Sequence, residues 1–95
     1  MGVYRVRNTH TGRSLVGRSV DLPSILNRQE AQLRFGGHRN RSLQADWKAE
    51  PDAFVFEVLD ELAPVDEPGY DAADDLVALE ALWIERLTAE GTRFY

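Results

Sequence analysis

Two short β-prone runs near the start, Gly2-Val3-Tyr4 and Leu15-Val16-Gly17, stand ten residues apart, each with a glycine at one end. Between them runs Asn8-Thr9-His10-Thr11-Gly12, residues that tolerate left-handed backbone and close tight turns. Two strands joined through such a turn predict a β-hairpin over residues 2–7 and 14–18. Side chains alternate along a strand, so Tyr4 and Val6 share one face, toward a core or a cleft. Val3, Arg5 and Arg7 share the other, and its two arginines make it the wetter side.

The rest of the chain reads as helices around one more strand. Asp21 is placed to cap a helix with Pro23 in its first turn, and Gly36-Gly37 stops that helix after Phe35. Leu22, Ile25, Leu26, Gln29 and Leu33 lie along one side of it. A second helix is expected over 41–49, with Leu43 and Trp47 one turn apart. Phe54-Val55-Phe56-Glu57-Val58-Leu59 is strongly β-prone. Residues 63–70 carry two prolines, a glycine and two acids and read as a loop. A last helix starts at Asp71 or Ala72, has acids in its first turn where the helix dipole favours them, and runs to Leu87. The expected architecture is α/β of the α+β kind: a small three-stranded antiparallel sheet flanked by helices, in the order β-β-α-α-β-α, as one domain over 1–95.

Composition narrows the class. Hydrophobic residues make up 43% of the chain, too many for a disordered segment. There is no cysteine, so disulfide and thiolate chemistry are excluded, which suits the cytoplasm. No apolar run reaches membrane-spanning length, and no signal-peptide pattern precedes the first strand. Charge is polarised. Residues 1–48 hold nine basic and three acidic side chains, net +6; residues 49–95 hold two and thirteen, net −11. Ten of the eleven basic residues are arginine, which grips phosphate with two parallel hydrogen bonds. A net-acidic chain binds nucleic acid only through a local basic face, and Arg18, Arg39, Arg41 and Lys48 are the candidates for one.

One acidic residue breaks the pattern. At about 100° per residue, Leu76, Leu79, Trp83 and Leu87 form the apolar stripe of the last helix. Glu80 projects beside that stripe, between Leu87 and Ile84, while Glu85 lies on the far side. A carboxylate there needs a partner: an arginine, hydrogen-bond donors, or a metal ion.

The paired tripeptides resemble the signature of the GIY-YIG nuclease family. The similarity continues through Gly37-His38, Leu43-Gln44-Ala45-Asp46-Trp47, the Phe54–Leu59 run and Leu79-Glu80-Ala81-Leu82-Trp83-Ile84, in the family's order and covering nearly the whole chain. The resemblance implies a metal-dependent endonuclease that hydrolyses phosphodiester bonds in DNA; single-stranded or structured substrate is expected because few elements of so small a chain are free to enter a major groove. In its terms Tyr4 activates or orients the attacking water. Gly17 lets backbone approach the ligand, and Glu80 holds one divalent cation, Mg²⁺ or Mn²⁺. His38 matches a histidine of some members and joins the nucleic-acid-binding residues, although a histidine in such a loop is ordinarily solvated.

Several family positions are substituted. The second tyrosine is Leu15, the arginine of the first helix is Ile25, and a histidine one turn later is Gln29. The asparagine that follows the last helix has no counterpart in Gly91-Thr92-Arg93-Phe94-Tyr95. Arg28, one turn beyond Ile25 on the same helical flank, is the catalytic cation expected to replace the missing arginine, and Arg18, next to Gly17, is the second candidate. The alternative is a catalytically inactive module that binds nucleic acid, or that meets a protein or a second copy through its acidic half.

Overall fold

The computed structural model describes residues 1–63 and 67–95. Its elements are β1 (Gly2–Asn8), β2 (Ser14–Ser19), α1 (Leu22–Phe35), α2 (Arg41–Ala49), β3 (Phe54–Glu61) and α3 (Ala73–Ala89). A single 3-10 turn, Pro51–Ala53, leads into β3. The sheet is antiparallel in the order β2-β1-β3, so the first strand of the chain is central. Element order and type match the sequence reading. β3 runs two residues further than expected, past a register shift opposite Val3 and Tyr4. Of the loop expected over 63–70, residues 64–66 lie outside the described residues.

The helix ends form for local reasons. Asp21 accepts the Ser24 N–H (3.1 Å) and the Ser24 hydroxyl (2.8 Å), satisfying donors that the first turn leaves free. Gly36 ends α1 at φ 80°, a left-handed conformation that glycine reaches without steric cost. Asn40 caps α2 by accepting the Leu43 N–H at 3.1 Å.

Register partners share a face of the sheet, and this divides the molecule. Val6, Leu15 and Phe56 stand on one side, where α1 and α2 close the core over Val6, Leu33, Leu43, Ala53 and Phe54. Val3, Arg18 and Asp60 stand on the other, where α3 packs against β1 and β2. Trp83 of α3 donates its indole N–H to Asp60 at 3.1 Å.

That second face corrects the expectation of a wet surface. Val3 is fully buried. Arg5 and Arg7 are half-buried because Glu57, directly opposite Arg5, accepts hydrogen bonds from both, at 2.6–2.9 Å and 2.8 Å. A strand carrying two arginines can thus lie under cover when its neighbour supplies a shared carboxylate.

The last residues pack into the fold. Ser14 donates its N–H to Arg93 and accepts from Tyr95, which bridges Phe94 to the start of β2. The Tyr95 hydroxyl donates to Asp46 (2.8 Å) and accepts from Asn8 (3.1 Å), and the Arg13 guanidinium stacks on its ring.

Candidate active site

The site forms at the outer edge of β2. Tyr4 stands opposite Gly17 in the register, and its ring lies across that glycine. A Cβ at position 17 would fall 2.5 Å from the phenol oxygen and 2.6 Å from Cζ. Gly17 is therefore required by the close approach of a side chain, and the tyrosine ring occupies the space a larger residue would fill. Tyr4 is 6% exposed.

Glu80 arrives from the opposite face of the sheet on α3. Its carboxylate accepts from Nη1 of Arg18 at 3.2 and 3.3 Å, and its side chain is 20% exposed. The expected inward lean of Glu80 is present in this form: the carboxylate sits at the rim of the α3–sheet packing, facing the hairpin. Burial raises the pKa of the Tyr4 hydroxyl above its ordinary value; a hydrogen bond from Gln29 opposes this, and the charge of Glu80 adds to the rise. Tyr4 is neutral at physiological pH, and Glu80 lies near enough to feel it.

Behind Tyr4 runs a short buried chain of hydrogen bonds. Gln29, on the apolar side of α1, donates from Nε2 to the Tyr4 oxygen at 3.4 Å. His38 Nε2 meets Gln29 Oε1 at 2.5 Å. His38 Nδ1 accepts the backbone N–H of Asn40 at 3.0 Å. His38 is 9% exposed, so the expectation of a solvated loop histidine is corrected. Gly36 and Gly37 reverse the chain tightly, and the His38 N–H is held by Gln44, which folds the ring beneath α1. Burial, with the neighbouring Arg39 charge acting the same way, holds the imidazole pKa below its ordinary value.

The sequence-derived residues thus separate into groups. Tyr4, Gly17, Arg18 and Glu80 come together at the β2 edge. His38 joins them from behind, in the interior. Arg28 is exposed on α1 and forms no ion pair or hydrogen bond with the described residues. Arg39, Arg41 and Lys48 are exposed on α2 and the turn before it. Gln29, read from the sequence only as a substituted position, is the residue that links His38 to Tyr4. Its signal was an amide among leucines on a helix face, a group that must find a partner when buried.

Leu15 packs against the core cluster, and Ile25 is half-buried on α1. Neither can meet a phosphate electrostatically. Among the described residues no three His, Asp or Glu side chains gather as a metal cage. Glu80 is a carboxylate beside a cation, Arg18. That donor set fits a hard ion such as Mg²⁺ or Mn²⁺, which binds through one or two carboxylates and keeps most of its water; it does not fit zinc or copper.

No protein-family model and no curated protein matches the chain. Solved structures do. The catalytic domain of homing endonuclease I-TevI superposes with a TM-score of 0.77 and 24% identity, covering 97% of this chain and 92% of that one. A mutant of the catalytic domain of intron endonuclease I-TevI gives 0.75 and 22%, covering 99% and 90%. The chain has the GIY-YIG nuclease fold. At this identity the likeness establishes architecture. Within the GIY-YIG fold, the hairpin carries Tyr4, Gly17 and Arg18, and the last helix brings Glu80 to the hairpin's free edge.

Proposed function

We propose that this protein is a metal-dependent endonuclease that hydrolyses phosphodiester bonds in DNA at the β2 edge. The observation that carries the reading is the meeting of Tyr4, Gly17, Arg18 and Glu80 from three separate elements at one strand edge. The fold of a homing endonuclease's catalytic domain supports it.

Glu80 is the residue that would hold Mg²⁺ or Mn²⁺, and the bound ion would offset charge developing on the leaving oxygen. Arg18 is half-exposed, and its hydrogen bonds to Glu80 are long. Such a pair is worth about 0–1 kcal/mol, so the guanidinium exchanges the carboxylate for a phosphate at little cost. In that position it stabilises the pentavalent phosphate. Arg28 is the second cation able to serve, reaching from the exposed side of α1. Tyr4 stays neutral and orients the attacking water through its hydroxyl. Arg39, Arg41 and Lys48 supply a modest basic surface beyond the site, and His38 contributes from beneath it.

A specific observation also favours a second reading. Leu15 and Ile25 are absorbed into packing, so two positions that could touch phosphate no longer do. A binding module on the same scaffold would keep affinity for nucleic acid and lose cleavage. Incubation of plasmid and oligonucleotide substrates with Mg²⁺ or Mn²⁺, beside Glu80→Gln, decides between them. Cleavage that needs the ion and disappears in the variant supports the nuclease; salt-sensitive binding without cleavage supports the module.

A further inference from the structure

The direction of every hydrogen bond behind Tyr4 follows from one group that cannot be reversed. The Asn40 backbone N–H can only donate, and it donates to His38 Nδ1 at 3.0 Å. Nδ1 is therefore the bare nitrogen, and the ring proton sits on Nε2. Nε2 faces Gln29 Oε1 at 2.5 Å and donates to it. With the amide oxygen engaged, the Gln29 amide nitrogen faces the Tyr4 oxygen at 3.4 Å and donates. An amide turned the other way would set its N–H₂ against the imidazole N–H, two donors in a buried space. The Tyr4 oxygen thus receives its hydrogen bond from the interior, and its own proton has to point elsewhere.

We propose that His38 is a positioning residue: acting through Gln29, it aims the Tyr4 hydroxyl proton away from the core and toward the β2 edge, where Arg18 and Glu80 stand. Its consequence for cleavage rests on the nuclease reading; the hydrogen-bond direction does not. The assignment explains three features at once. His38 is buried although it lies in a loop. Gln29 sits on an apolar helix face. The turn at Gly36-Gly37 serves to bring residue 38 back under α1. Tyr4 is the group that would touch water or phosphate; His38 reaches it only through Gln29, and its other hydrogen bonds go to Asn40 and Gln44.

The experiment uses the full chain labelled with ¹⁵N and has two arms. The first reads the ring nitrogens of His38 and the side-chain amide of Gln29 by NMR. The expected result is a protonated Nε2, an unprotonated Nδ1, and Gln29 amide protons protected from exchange. His38→Leu should lose that protection, and His38→Gln, whose amide nitrogen can occupy the place of Nε2, should keep it. A proton on Nδ1, or protection unchanged in His38→Leu, overturns the proposal. The second arm reads cleavage. His38→Leu and Gln29→Leu should each lower kcat about 10–100-fold, the usual effect of losing a partner that orients an active group, with KM little changed. The double variant should lose no more than either single one, and His38→Gln should recover most of the rate. Additive losses overturn the proposal. A wild-type chain that cuts nothing refutes the nuclease reading, and the first arm then decides the positioning role alone.

Discussion

Replacing Gly17 by alanine tests whether the Tyr4 ring truly occupies the space over β2. Gly17 does not have a positive φ, so alanine brings no backbone strain there. On backbone grounds alone the change should stabilise the protein by about 0.4–1 kcal/mol, because alanine leaves the unfolded chain fewer conformations. Opposing this, the new methyl would stand 2.5, 2.6 and 2.8 Å from Oη, Cζ and Cε1 of Tyr4. Carbon atoms sit comfortably at about 3.5–4.0 Å, so the ring has to retreat by about 1 Å. It is buried and tied to Gln29, and forced overpacking of that kind costs about 1–3 kcal/mol. The steric effect wins, and the net loss is about 1–2 kcal/mol. For a domain of this size that lowers the melting temperature by roughly 4–16 °C. Cleavage should fall about 100-fold, since a displacement of 1 Å is enough to spoil a reacting geometry. Thermal unfolding followed by circular dichroism and single-turnover cleavage are the assays. A second measurement in a Tyr4→Leu background identifies the source: without the ring, Gly17→Ala should be neutral or mildly stabilising. An unchanged or raised melting temperature in the wild-type background would refute the argument.

Other outcomes follow from the same geometry. Glu80→Gln should abolish metal-dependent cleavage while shifting chemical stability by less than about 0.5 kcal/mol, because its pairing with Arg18 is half in solvent. Arg18→Ala should reduce the cleavage rate about 10²–10³-fold, the scale of one lost electrostatic contact in the transition state, and Arg28→Ala should cost less; the reverse order would move the cation to α1. Glu57→Gln should destabilise the fold by about 1–3 kcal/mol in urea titrations, because it weakens the shared acceptor of Arg5 and Arg7. Stability should also fall on acidification from pH 7.5 to 5.5. Burial holds the His38 pKa below that of the unfolded chain, so the unfolded state takes up the proton first and the loss begins as pH drops through the ordinary histidine range. His38→Gln should flatten that slope, and an unaltered slope would assign it to other groups.

Local sequence determined a great deal. Asp21 and Gly36 carry their own capping chemistry, so the bounds of α1 were legible; α2 takes its expected range, with a cap at Asn40 that the structure added. The turn residues between two β-prone runs gave the hairpin, and the odd placement of Glu80 marked it as a residue in need of a partner. Those signals act over one to four residues, and a single sequence contains them in full. Tertiary structure decided what depends on strand pairing and chain reversal. Only the pairing of β3 with β1 brings Glu57 opposite Arg5 and turns an apparently wet face into a covered one. Only the packing of α3 against the hairpin chooses Arg18 for Glu80. Only the return of the chain beneath α1 seats His38 against Gln29 and links both to Tyr4. Each of these contacts joins residues far apart along the chain or across a reversal, where no periodicity or capping rule reaches. They are set by which surfaces can be buried together at once.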